Sequence, residues 1–136
     1  MLVWGRGDEG EMSNGRILVV EDQPDVQLTM RLSLEMEGYE VALASTADEA
    51  VTALEGSTPD LVLLDITLPR VSGWELLERL RADQRFATLP IVVVSALPGE
   101  GIARRAADLG ANGFLAKPFD VVELGAAVQR ALATDG

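Results

Sequence analysis

The stretch that most constrains this chain is Leu61-Val62-Leu63-Leu64-Asp65-Ile66-Thr67-Leu68-Pro69. Four apolar residues run straight into one aspartate. A short unbroken apolar run is a strand buried on both faces, the habit of parallel sheets covered by helices on either side. An acidic residue at the carboxyl end of such a strand stands where open α/β sheets place their chemistry. Asp65 is therefore the candidate reactive group.

The rest of the chain repeats the pattern. Arg16–Val20 is an apolar run ending in Glu21-Asp22, and Pro24 opens a helix that reaches about Glu37, stopped by Gly38. Glu40–Ala44 is a second strand. Ser45-Thr46-Ala47-Asp48-Glu49 has the spacing of a capping box, and the helix it starts ends near Gly56. After the Leu61–Asp65 strand, Gly73 allows a turn into a helix from about Trp74 to Ala82. Ile91–Ser95 is a fourth, β-branched strand. Pro98-Gly99-Glu100-Gly101 connects it to a helix through Leu109. Gly113–Ala116, Lys117-Pro118 and a helix from about Val121 to Leu132 complete the alternation. Five strands alternating with five helices predict a doubly wound parallel sheet. Residues 1–15, glycine-rich and without periodicity, are expected as a tail, 16–132 as the domain and 133–136 as a second short tail; Met12 offers an alternative start.

Composition narrows the chemistry. With neither cysteine nor histidine, disulfides, thiolate chemistry and imidazole bases are excluded. A formal charge of -11 argues against a nucleic-acid surface. No apolar run approaches the roughly 20 residues of a membrane span, and no signal peptide is evident, so a cytoplasmic protein is expected.

In a parallel sheet the strand ends converge on one edge. Glu21 and Asp22, Asp65, Ser95 and Lys117 would be gathered there. Each has a plain structural explanation: Asp22 as a helix cap, Asp65 as a turn former, Ser95 as a local backbone acceptor, Lys117 as a solvated charge. All of them closing strands of one sheet is much harder to assign to chance. Two carboxylates about 4 Å apart repel by roughly 4 kcal/mol at an effective dielectric near 20. Such a cluster wants a cation, and an all-oxygen donor set suits Mg²⁺ better than zinc. With Lys117 and Ser95 alongside, Asp65 could attack a phosphorus atom, a known use of a carboxylate nucleophile.

These motifs resemble the receiver domain of bacterial two-component response regulators over nearly the whole chain. The carrying residues are Val19-Val20-Glu21-Asp22, Asp65 with Pro69 and Gly73, Val94-Ser95-Ala96 and Lys117-Pro118-Phe119. The resemblance implies a flavodoxin-like strand order 2-1-3-4-5. It makes Asp65 the phosphoacceptor. Mg²⁺ would be held by Glu21, Asp22, Asp65 and the Thr67 backbone carbonyl. Ser95 would be the hydroxyl that moves to the phosphoryl group, Lys117 its partner through a cis peptide to Pro118, and Phe114 the aromatic switch. The donor would be a sensor histidine kinase or a histidine phosphotransfer protein. Since the chain stops soon after Leu132, a lone receiver is expected, a switch rather than an enzyme, acting on a downstream target protein or by onward phosphotransfer.

Three readings refine this. Thr67 is short and Leu97 apolar at positions that flank the attacking water, so slow self-dephosphorylation is expected. On the first helix Val26, Met30 and Leu34 form the core stripe, while Leu28 and Leu32 fall opposite, either as isolated exposed leucines or as a docking stripe. The last helix is expected to bury Val121, Leu124, Val128 and Leu132 and to leave Val122 and Ala126 outward, a face for a homodimer or a target. The rivals are a phosphate-independent interaction domain of the same fold and an aspartyl-phosphate phosphatase, though Thr67 is not the second acid such an enzyme would want.

Overall fold

The computed structural model describes residues 13–97 and 100–133. Most of both expected tails, Met12 and part of the connection at 98–101 lie outside the described residues. The elements follow in the order β1 (Arg16–Val20), α1 (Pro24–Met36), β2 (Glu40–Ala44), α2 (Ala47–Gly56), β3 (Leu61–Asp65), α3 (Gly73–Ala82), β4 (Ile91–Ser95), α4 (Glu100–Asp108), β5 (Gly113–Ala116) and α5 (Val121–Ala133). A short 3-10 turn at Gln84–Phe86, which the sequence did not announce, sits between α3 and β4.

All four strand pairings are parallel, in the order β2-β1-β3-β4-β5. This is the flavodoxin-like order. The unbroken apolar strands follow from it, because successive side chains point to opposite faces and both faces are covered. Leu18, Val20, Val62, Leu64, Ile91 and Val93 pack with α2, α3 and α4. Ile17, Val19, Leu61, Leu63, Val92 and Val94 pack with α1 and α5.

Local chemistry sets the helix starts. Pro24 occupies the first turn of α1, where no N–H is needed. The cap residue is Gln23 and makes no side-chain cap bond, so Asp22 is not the helix cap. Thr46 Oγ1 accepts from the Glu49 N–H, as a capping box requires, but the Glu49 carboxylate reaches back to the Ser45 N–H rather than to Thr46. On α5 the core stripe is Leu124, Ala127, Val128 and Ala131. Val121, expected in the core, is 57% exposed, because it opens the helix ahead of the first residue that faces the sheet.

Gly73 does not form the turn expected of it. It is the first residue of α3, and a Cβ there would lie 2.4 Å from Ile66 Cα and 2.6 Å from the Asp65 carbonyl oxygen. Its N–H donates to Ile66 O. The left-handed residue of this loop is instead Arg70, with φ 68, bracketed by a bond from the Val71 N–H to Pro69 O. The missing Cβ thus lets α3 sit on the backbone that carries Asp65. Gly73→Ala is expected to lose about 1–3 kcal/mol in urea unfolding. Gly101→Ala, where a Cβ meets nothing within 4 Å, is expected to gain up to about 1 kcal/mol.

Candidate functional site

The sheet brings the carboxyl ends of β1, β3, β4 and β5 to one edge, and the order reverses between β1 and β3. Ligand crevices of open α/β sheets lie at such a reversal. Asp65 ends β3 and is 2% exposed; Glu21 follows β1 and is 1% exposed. Ser95 ends β4 and is fully buried. Lys117 follows β5, and the Lys117–Pro118 peptide is cis.

Lys117 is the centre of the site. Its Nζ donates to Glu21 Oε1 at 2.6 Å and to Asp65 Oδ2 at 3.0 Å. It is therefore no solvated loop charge. The other oxygen of Asp65, Oδ1, accepts from the Thr67 N–H at 2.9 Å and from the Thr67 hydroxyl at 2.8 Å. Glu21 Oε2 accepts from the Gln23 N–H. Asp22 is exposed, yet carboxylate oxygens of Glu21, Asp22 and Asp65 lie within 4.8 Å of one another. Three carboxylates thus gather where one ammonium group bonds two of them, and hard oxygen donors without histidine or cysteine fit a divalent cation such as Mg²⁺.

Two plain structural explanations hold beside the functional one. Asp65 does form a local turn, through the Thr67 N–H. Ser95 Oγ does accept from a nearby backbone group, the Leu97 N–H at 2.9 Å, and makes no bond to Asp65. The Thr67 hydroxyl on Asp65 is a contact the sequence did not reveal. The sequence points to Thr67 for its carbonyl and for its short side chain, and two residues' separation leaves the rotamer open. Phe114 is half-buried against the cluster under α2, α3 and α4.

The electrostatics are uneven. Burial pushes the Glu21 carboxyl up, ahead of the opposing bonds from Lys117 and the Gln23 N–H. Burial also pushes Asp65 up, but the Thr67 N–H, Lys117 and the Thr67 hydroxyl together outweigh it and leave Asp65 below the usual aspartate value. Burial pulls Lys117 down, and its two carboxylate partners more than reverse this. Asp65 is thereby kept ionised.

Residues 17–129 match the family model for the response regulator receiver domain. The chain is 40% identical over 118 residues to the response regulator Rre1 of Synechocystis sp., covering 86% of this chain and 51% of that one. It is 39% identical over 114 residues to a 14.6 kDa protein of Leptolyngbya boryana, covering 84% of this chain and 87% of the other. The solved CheY-like receiver domain protein of Methanospirillum hungatei superposes with a TM-score of 0.80 at 29% identity, covering 90% of this chain and 94% of that one. The chain spans about half the length of the first curated relatives it matches.

A raised lysine value stabilises the fold fully below its ordinary 10.5, and that contribution is lost as pH rises through the folded value. Tyr39, pushed up by burial and by Glu37, works in the same direction. In a Tyr39→Phe background without Mg²⁺, urea unfolding across alkaline pH is expected to show stability falling beyond 10.5. Lys117→Gln should remove that fall. It should also lower stability at neutral pH, toward the small end of the roughly 3–5 kcal/mol typical of a broken buried pair, because Thr67 and Gln23 still serve the two acids.

Proposed function

The chain belongs to the response regulator receiver family, the phosphorylation switches of two-component systems, and from that premise we propose that it accepts a phosphoryl group on Asp65. The observation that carries the reading is the buried Asp65, held ionised by Lys117 and Thr67, with Glu21 and Asp22 beside it. The donor is the phosphohistidine of a sensor histidine kinase or of a histidine phosphotransfer protein. A carboxylate oxygen of Asp65 attacks phosphorus, the phosphorus–nitrogen bond breaks, and its electron pair returns to the donor imidazole.

Glu21, Asp22, Asp65 and the Thr67 carbonyl would hold Mg²⁺. When bound, that ion supplies positive charge against the carboxylates and the incoming phosphoryl oxygens. Lys117 pairs with a phosphoryl oxygen, which takes over the role Asp65 Oδ2 plays in the resting site. The Ser95 hydroxyl turns from the Leu97 N–H to a second phosphoryl oxygen, and Phe114 moves inward behind it. The new charge of about −1.5 to −2 biases α4 and its connection to β4. The protein is thus a switch that turns over only its own phosphoryl group, and its output is a contact with a target protein or onward transfer.

The expected result with acetyl phosphate and Mg²⁺ is one phosphoryl adduct in the intact mass, absent in Asp65→Asn and absent without Mg²⁺. No adduct on folded protein would favour the phosphate-independent interaction domain. The adduct should decay slowly: the Thr67 hydroxyl is already committed to Asp65 Oδ1, and Leu97 is apolar and 43% exposed. Phosphate release complete within seconds would contradict this.

Among the described residues, the large exposed apolar side chains other than Leu97 are Leu28, Leu32, Met36, Val121 and Val122, all on α1 and α5. That clustering favours a docking stripe over isolated leucines. Leu28→Glu with Leu32→Glu is expected to slow transfer from a phosphohistidine donor at least about tenfold, the scale of losing 1.4 kcal/mol of binding. Labelling by acetyl phosphate should be unchanged, which separates docking from chemistry.

A further inference from the structure

Helix α4 is held to the molecule thinly along its body. Ala106 is its buried residue, and Ile102 is half-buried against the same cluster. Helix α3, by contrast, buries Gly73, Leu76, Leu77 and Leu80. Polar contacts with α3 supplement this at two places, and they differ in kind.

Beyond the carboxyl end of α4, Arg81 spreads a complete fork. Its Nε donates to Gly110 O at 2.9 Å, one terminal nitrogen to Phe86 O at 2.7 Å, and the other to Asn112 Oδ1 at 2.9 Å. Asn112 Oδ1 also accepts from the Ile91 N–H at the start of β4. A planar guanidinium with three directed bonds fixes this corner. In the body of α4 the contact is of another kind. The Arg105 guanidinium carbon lies 4.5 Å from the centroid of the Trp74 ring. Arg105 is exposed, and Trp74 is half-buried. Trp74 directly follows Gly73, whose backbone sits on the Asp65 carbonyl.

We propose that the Arg105–Trp74 contact is a latch that holds α4 against α3 in the unphosphorylated protein and opens when Asp65 is phosphorylated, while the Arg81 fork keeps the carboxyl end of α4 fixed. The proposal rests on the reading of Asp65 as phosphoacceptor. The motion has an identifiable origin. Ser95 Oγ holds the Leu97 N–H, and Leu97 lies three residues before α4 begins. When that hydroxyl turns to a phosphoryl oxygen, the Leu97 N–H is released and the amino end of α4 is free to shift. Arg105 travels with the helix, and Trp74 stays with α3. A stacked cation at an exposed site biases such an equilibrium by about two- to fivefold, enough to set the switch without locking it.

Trp4 and Trp74 are the two tryptophans of the chain, so Trp4→Phe leaves Trp74 as the reporter. Beryllofluoride with Mg²⁺, a phosphoryl mimic, is titrated against this protein and against Arg105→Gln and Arg105→Lys, reading melting temperature and acrylamide quenching of Trp74. The expected result is that saturation makes Trp74 more quenchable. Arg105→Gln should show that raised quenching without ligand and bind the mimic about two- to fivefold tighter. Arg105→Lys, which keeps a cation over the ring, should stay near the parent in both readouts. If the mimic raises the melting temperature while Trp74 quenching does not change, or if Arg105→Gln has the parent's half-saturation, the latch is overturned. If the mimic leaves the melting temperature unchanged, or acts equally on Asp65→Asn, the phosphoacceptor reading fails and the latch with it.

Discussion

The site depends on one ammonium group shared by two buried carboxylates. Glu21 and Asp65 are almost fully removed from water, and Lys117 is their common partner. Two acids this close repel, and their mutual repulsion is one of the causes that raise Glu21. The lysine is what makes the pair tolerable. It also ties together three strands that are not neighbours in a row: β1, β3 and, across β4, the edge strand β5. A one-residue slip of β5 would turn every side chain to the other face and lose the pair. Sheet register and site geometry are therefore the same constraint.

The compensation is incomplete, and that is the functional point. Asp22 brings a third carboxylate to the cluster without bringing a cation. The cluster is left acidic, and a divalent ion or a phosphoryl group bound with one would complete its electrostatics. Natural sites often hold such imbalance at some cost in stability. The hydroxyls show the same poise on a smaller scale. Thr67 and Ser95 each satisfy a local bond, on Asp65 and on the Leu97 N–H. A bond of this kind contributes about 1 kcal/mol net, so on the proposed reading a new phosphoryl charge at Asp65 would be strong enough to redirect Ser95.

How much of this was legible in the sequence follows from the range of each interaction. The strands were legible because Leu61–Leu64 and Ile91–Val94 are apolar on both faces, which only a covered parallel sheet explains. The convergence of Glu21, Asp65, Ser95 and Lys117 on one edge followed from that topology alone. What failed to show was local and geometric. Val121 reads as core by periodicity, but its helix begins ahead of the sheet contact, and Leu124 takes that role. Gly73 reads as a turn former, yet its lack of a Cβ serves a close approach to Ile66, and a non-glycine residue, Arg70, takes the left-handed backbone. The bond from Lys117 to Glu21 joins residues 96 positions apart. No spacing rule reaches that far without the fold.

The two faces of the sheet divide the labour. Among the described residues, the large exposed apolar side chains other than Leu97 lie on α1 and α5, over the core formed with Ile17, Val19 and Val92. Phe114, Trp74 and Ile102 lie on the opposite face, packed against the core of Leu18, Val62 and Val93. Asp65 is the last residue of the strand between these layers, beside β1 on one flank and β4 on the other. On the proposed reading, a partner would grip one face and leave the other free to move. Charge placed at Asp65 would then reach this second face through Ser95, whose hydroxyl holds the Leu97 N–H three residues ahead of α4. Because α4 buries one alanine, with Ile102 half-buried beside it and Arg105 over the Trp74 ring, it would be the helix to shift, whereas α3, anchored by three leucines and a buried glycine, would stay in place as the reference.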